Sequence, residues 1–366
     1  MSKPVGIGII GCGNISPQYF KGATLFSEIE VVVCADLNLE LAASRAEEFS
    51  IAKAVSVDEL LADPEVEIVL NLTTPQFHAP INKRILEAGK HAYCEKPFAT
   101  NREEGQEVLE LAKEKGLRVG CAPDTFLSSP LQTARKLVDE GFIGKPFGGT
   151  AFFACPGHER WHPNPEFYYK RGGGPVLDMA PYYLTVLANL FGPAVSVISS
   201  AKKVFDERTV ASGPLEGEKI SVETLTHNVS VIEYSNGATV NAIFSFDVQG
   251  SHDLPMLTVY GTEGNLSLPD PNGFEGPLKV SRAGQDWEEV SWQHNYEGMR
   301  AIGLADLAAA IRDGRKHRAN GELAYHVFDT MLACEESAES GQRVQIESTF
   351  ESLPAIRASD GAAPLF

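Results

Sequence analysis

With 366 residues, 43% of them hydrophobic, the chain is long enough to bury a full core and favours two domains, which excludes a small stapled or disordered protein. A formal net charge of −18, offset by no basic run, repels a phosphate backbone and argues against nucleic acid as a partner. Six cysteines lie scattered without paired spacing, as reduced core thiols do, so the expected compartment is the cytoplasm.

The chain enters a short apolar run, Val5–Ile10, too brief for a signal segment or a membrane span, and no membrane association is expected. That run, with Glu30–Cys34, Ile68–Leu72, His91–Cys94 and Arg118–Cys121, has the β-branched texture of buried strands. Between them Leu39–Glu48, Val57–Leu61, Ala79–Glu87 and Arg102–Glu114 carry apolar residues at three- and four-residue spacing, which predicts helices that cover a sheet. The alternation predicts an α/β fold with an N-terminal doubly wound parallel sheet, the Rossmann arrangement.

After Cys121 the texture changes. A helix over Ser128–Glu140 is ended by Gly141, and a stretch rich in Pro, Gly and aromatics follows from Cys155 to Gly174. Beyond a helix around Val176–Leu190, the segments Val195–Ser200, Val222–Tyr234, Ala238–Val248, Leu257–Gly261 and Leu278–Ser281 predict strands joined by turns such as Asn236-Gly237. Helix returns over Ala301–Ile311 and Leu323–Ser337. The expected division is a dinucleotide-binding domain over 1–123 and a C-terminal α+β domain over 124–366 for substrate binding and oligomerisation, with a largely antiparallel open sheet. Such a sheet leaves an apolar face that helices do not cover, which predicts a homo-oligomer, dimer or tetramer.

The first strand runs into Gly11-Cys12-Gly13-Asn14-Ile15-Ser16, the dinucleotide fingerprint with serine in place of its third glycine. The first glycine permits the tight turn, the second lets the backbone approach a pyrophosphate, and the third position needs only a small residue. Asp36, at the end of the second strand and 23 residues after Gly13, is placed to accept both ribose hydroxyls. Its charge would repel a 2′-phosphate, and Leu37-Asn38-Leu39 bring no cation, so NAD is favoured over NADP. Thr73, Thr74 and Pro75, with His78 soon after, close a later strand at the carboxyl edge where such sheets bind ligands.

The strand through Lys90 and His91 closes with Glu95-Lys96-Pro97. Gly-Lys-His followed by Glu-Lys-Pro, after the Gly-x-Gly loop and the Thr-Pro turn, closely resembles the Gfo/Idh/MocA family of glucose–fructose oxidoreductase and inositol dehydrogenase. The resemblance implies a cis peptide before Pro97, a Lys96 active in substrate binding and catalysis, and a cofactor seat that includes Leu37 and Glu95. Gly172-Gly173-Gly174 through Asp178 to Tyr182 resembles the family's second motif, with Ala180 for the usual glycine and Tyr182 for the usual histidine. Tyrosine there is similar to glucose–fructose oxidoreductase, where it donates and accepts the proton. Cys121-Ala122-Pro123-Asp124 lacks the arginine usual near Asp124, a departure expected to bear on the substrate.

Oxidising an alcohol needs a base for the hydroxyl proton while hydride leaves carbon for the nicotinamide. Lys96 and Tyr182 are the candidates, the lysine with its pKa lowered by the cationic ring. Asp178 and Tyr182, four apart on one helix face, can converge on one hydroxyl. The loop His158-Glu159-Arg160-Trp161-His162, continuing to Tyr168 and Arg171, mixes aromatics with hydrogen-bonding groups, as a sugar site does; Asp124 completes the expected substrate set. A metal held by His158 and His162 is not expected, because Pro163 and Pro165 break the helix that i, i+4 ligation needs and no third ligand is evident. The expected function is NAD-dependent oxidation of a secondary hydroxyl of a sugar, glycoside or polyol. Two alternatives use the same fold: a redox-neutral glycosidase that uses NAD transiently, and a non-enzymatic nucleotide-sensing regulator.

Overall fold

The computed structural model describes residues 3–292 and 298–356. The described residues divide into two compact units, 3–132 with 298–325 and 355–356, and 133–292 with 326–354.

In the first unit, β1 (Val5–Ile10), β2 (Ile29–Ala35), β3 (Lys53–Val55), β4 (Ile68–Asn71), β5 (His91–Cys94) and β6 (Val119–Cys121) form one parallel sheet in the order β3-β2-β1-β4-β5-β6. β1 and β4 are buried throughout, as strands covered on both faces must be. The helices are α1 (Ser16–Ala23), α2 (Leu39–Phe49), α3 (Val57–Ala62), α4 (Pro75–Glu87) and α5 (Arg102–Lys115). Their ends follow local chemistry: Asn38 and Asn101 cap α2 and α5, and Ser56 with Glu59 closes a capping box on α3. Strand order reverses between β1 and β4, so the turns that follow these two strands open at one carboxyl edge.

In the second unit, α6 (Ser129–Asp139) leads into β7 (Pro146–Ala154), and α7 (Pro175–Phe191) packs on a sheet. The remaining strands are β8 (Ala194–Lys202), β9 (Glu207–Thr209), β10 (Lys219–Ser221), β11 (His227–Tyr234), β12 (Thr239–Ser245), β13 (Leu257–Gly261), β14 (Gly264–Leu268), β15 (Leu278–Arg282), β16 (Glu288–Val290) and β17 (Val344–Gln345). Eight of them join β7 in the sheet β16-β15-β14-β13-β7-β12-β11-β8-β17, with β7 and β12 parallel and every other pair antiparallel; β9 and β10 pair apart from it. Burial alternates cleanly along β11, whose even-numbered residues are buried while Val231 and its register partner Ile198 are exposed. The expected strand from Val222 starts only at His227.

The chain then returns to the first unit as α8 (Ile302–Asp313), which packs on β6, so the units are not the two consecutive segments the sequence suggests. α9 (Gly321–Ser340) follows. Among the described residues no helix is long and apolar enough to cross a membrane, and all six cysteines are unbridged.

Candidate active site

In the first unit the β1–α1 turn is shaped by two glycines with different duties. Gly11 has φ +99°, and a Cβ there would lie 2.7 Å from the Leu72 carbonyl group. At Gly13 a Cβ would meet nothing within 4 Å, so the turn is open on that side. The N-cap of α1, Ile15, offers no side-chain acceptor, and among the described residues the amides of Gly13, Asn14 and Ile15 find no protein acceptor. Ser16 turns inward, its hydroxyl donating to the Gly13 carbonyl at 2.8 Å, which explains why it replaces a glycine without loss. An open turn of unspent amides at a helix start fits a pyrophosphate.

Asp36 ends β2 beside this turn. Its Oδ2 accepts the Cys12 N–H and its Oδ1 the Asn38 N–H, both at 2.8 Å, so the carboxylate is already oriented by the backbone it serves. Leu37 next to it is 95% exposed. Arg45 of α2, which sequence inspection passed over, reaches the Cys12 carbonyl at 3.3 Å and is held by Glu48 at 2.5 Å.

At the other turn Asn71 secures Thr73 through its side-chain oxygen, while its amide donates to the His78 carbonyl and to Asn82. Thr74 stands at the N-cap of α4 without a side-chain capping bond, and Pro75 starts the helix. Three residues expected at the cofactor or substrate have interior partners here. His78 is 1% exposed, and its ring nitrogens lie 2.7 Å and 2.8 Å from the carbonyls of Pro97 and Thr73, so it ties the two turns together; burial lowers its pKa. Glu95 is buried, accepting the Tyr19 hydroxyl at 2.7 Å and the Lys96 N–H at 3.0 Å, so it fixes the backbone of the lysine turn from within. Asp124 is wholly buried: Oδ2 caps α8 by accepting the Ala301 and Gly303 N–H groups, and Oδ1 lies 3.6 Å from Arg300. Burial raises its pKa and Arg300 opposes the shift; its bonds brace a helix start. The peptides before Pro97 and Pro123 are cis.

In the second unit the glycines before α7 let the chain fold tightly: a Cβ on Gly173 would strike the carbonyls of Phe167 and Tyr168, and Gly174 has φ +95°. This seats Asp178 in the first turn of α7, where its charge complements the helix dipole. Asp178 Oδ2 lies 3.1 Å from His158 Nε2, and the Trp161 indole N–H donates to His158 Nδ1 at 3.2 Å. The His158 ring packs against Tyr168 and Phe246. Tyr182, one turn beyond Asp178, is 6% exposed. His162 has its Nδ1 occupied by the Asn164 N–H, and burial lowers its pKa. Trp161, 61% exposed, leaves an aromatic face at the surface, and Arg171 is exposed as well.

The loop that carries these groups is fastened from beneath. Arg208 on β9 is 5% exposed and binds Glu159 at 3.0 Å, the Pro156 carbonyl at 3.1 Å, the Phe246 carbonyl at 2.9 Å and the Asp247 carboxylate. Tyr169 donates to Glu159 and accepts the His158 N–H. No motif announces Arg208, because its acidic partners lie far off in sequence.

These features agree with comparison to known proteins. The model "Oxidoreductase family, NAD-binding Rossmann fold" matches residues 5–122, and "GFO/IDH/MocA C-terminal domain" matches 131–267. The chain is 27% identical over 356 residues to 1,5-anhydro-D-fructose reductase of Ensifer adhaerens, covering 93% of this chain and 98% of that protein. It is 25% identical over 291 residues to levoglucosan dehydrogenase of Pseudarthrobacter phenanthrenivorans, covering 72% and 73%. Among solved structures, an NAD binding oxidoreductase from Klebsiella pneumoniae superposes with a TM-score of 0.82 at 22% identity, covering 94% of this chain and 99% of that one. With both halves of the chain matched in order, the protein belongs to the Gfo/Idh/MocA oxidoreductase family.

Proposed function

We propose that the protein oxidises a secondary hydroxyl of a sugar, glycoside or polyol with NAD. The observation that carries this reading is the Asp178 carboxylate, hydrogen-bonded by an imidazole in a setting of aromatic rings, one of which presents its face to solvent. A carboxylate accepts hydroxyl protons, and an aromatic face receives the C–H side of a sugar ring. The relatives named for anhydrofructose and levoglucosan point to the same substrate class.

The amides of the Gly11–Ile15 turn and the carboxylate of Asp36 would hold the dinucleotide, with Leu37 against its base and the Thr73–Pro75 turn lining the nicotinamide end. When bound, NAD supplies the hydride acceptor. Lys96 is assigned removal of the hydroxyl proton, Asp178 the orientation of the hydroxyl, and Tyr182 the exchange of the proton. Asp36 disfavours a 2′-phosphate, and Arg45, engaged by Glu48, does not reverse that preference. The unbridged cysteines support a cytoplasmic setting, and the exposed face of the second sheet supports a homo-oligomer.

The test is NADH formation by purified protein across levoglucosan, D-xylose, myo-inositol and their glycosides, with NADP in parallel. Turnover with NAD that disappears in Lys96→Met, while NAD still binds, is the expected result. Tight NAD binding with no turnover of any sugar would overturn it.

A further inference from the structure

We propose that Trp161 and His158 form a directional hydrogen-bond relay that holds the Asp178 carboxylate in one orientation, which makes His158 a positioning residue for Asp178. The role of Asp178 itself rests on the functional reading above.

The direction follows from which groups can donate. An indole N–H donates only, so Trp161 Nε1 at 3.2 Å from His158 Nδ1 requires a lone pair on that nitrogen. The ring proton of the neutral imidazole then sits on Nε2, 3.1 Å from Asp178 Oδ2, which as a carboxylate only accepts. Both bonds are made in this tautomer. In the other, two N–H groups oppose each other at Trp161 and two lone pairs oppose each other at Asp178, so both bonds fail together.

The ring cannot escape this choice by turning. The His158 side chain is 9% exposed, and its ring centroid lies 4.4 Å from Tyr168, 4.5 Å from Phe246 and 5.3 Å from Trp161. Its backbone N–H is held by the Tyr169 hydroxyl at 3.1 Å, and the next residue, Glu159, is clamped by buried Arg208. Tautomer and orientation are thus imposed by contacts within the second unit. Trp161 joins two duties: its N–H is spent on His158 while its ring face stays at the surface. A sugar that settles on the indole presses on the group that sets the tautomer.

The test uses the full-length protein labelled with 15N in its histidine rings. The His158 resonances are assigned by their loss in His158→Gln. A single Nε2–H tautomer is expected in the wild type, and a mixture of both tautomers in Trp161→Phe, a surface substitution that keeps the ring and removes the donor. In turnover of levoglucosan or D-xylose, His158→Leu is expected to lower kcat/KM roughly 10²-fold, the scale of a displaced active-site group, with NAD affinity unchanged. His158→Gln, whose amide can accept from Trp161 and donate to Asp178, is expected to stay within about tenfold of wild type. An Nδ1–H tautomer in the wild type, an unmoved tautomer in Trp161→Phe, or equal losses in the Leu and Gln variants would overturn the relay. If the wild type oxidises no sugar, the functional reading fails, and the resonance measurement still decides the relay.

Discussion

Asp36 binds the β1–α1 turn through the Cys12 N–H and the start of α2 through the Asn38 N–H, and those bonds decide what a substitution there does. Asp36→Ser keeps an acceptor for the turn but loses the charge and one oxygen. The apparent affinity for NAD is expected to fall roughly 10–100-fold, the value of a charged hydrogen bond, while NADP becomes a usable cofactor. Titration of both dinucleotides by fluorescence checks this, and unchanged discrimination would remove Asp36 from the ribose site. At this scale the sequence is informative wherever a residue's duty is discharged within a few neighbours. Gly11 and Ser16 are legible because turn and helix start adjoin along the chain, and Asp36 because one strand–helix–strand unit fixes its spacing from the turn. The bracing duty of Asp124 is not legible, because the amides it serves, those of Ala301 and Gly303, lie 177 and 179 residues away. Nor is that of Glu95, since its partner Tyr19 is 76 residues distant and nothing local marks the carboxylate as buried.

Between elements, the fastening of the Gly157–His162 loop onto β9 and the end of β12 depends on one cation shared by two buried carboxylates. Arg208→Leu leaves Glu159 and Asp247 without it, a change that typically costs about 3–5 kcal/mol and is expected to lower Tm by on the order of 10 °C. Thermal unfolding followed by circular dichroism measures it, and a shift of only a degree or two would show that the brace is dispensable. Strands with β-branched runs, such as β1, β4, β8 and β13, are evident in the sequence because packing and propensity agree there. β7 was missed, since its Gly148-Gly149 pair breaks the apolar pattern and its place in the middle of the sheet comes from partners β12 and β13. The short strands β3, β9, β10 and β16 span three residues each, too few to show a period.

For the whole molecule, burial holds His317 and His326 neutral and lowers the pKa of each to about 4, against 6.5 for the ordinary side chain. Between those values the unfolded chain binds more protons than the folded one, so stability rises with pH, is complete above about pH 6.5 and is lost as pH falls toward 4. Each histidine accounts for up to ~3 kcal/mol of that loss. Glu335, raised to about 7 mainly by burial, works in the opposite sense, losing stability as pH rises from 4.5 to 7. His78, His91 and His162 are lowered as well and add to the histidine side, while Asp124, Asp247 and Asp270 are raised and side with Glu335; the more numerous histidines make the acid loss dominant, so urea unfolding at about pH 5 should give a lower midpoint than at about pH 7.5. A midpoint independent of pH would contradict this. The exposed pair Val231 and Ile198 on the outer face of the second sheet is expected to meet a second copy. Light scattering at micromolar concentration should therefore report a dimer or tetramer, and a monomer would refute it.

The two glycines of the β1–α1 turn answer to different selections. Any side chain at position 11 collides with the Leu72 backbone, so that glycine is kept by the fold and will persist in every descendant that still folds. A methyl at position 13 touches nothing among the described residues, so what would forbid it is a dinucleotide held on this turn as proposed above. A gene copy released from redox duty would thus keep Gly11 and let Gly13 drift, and that second glycine records whether a lineage still uses its cofactor.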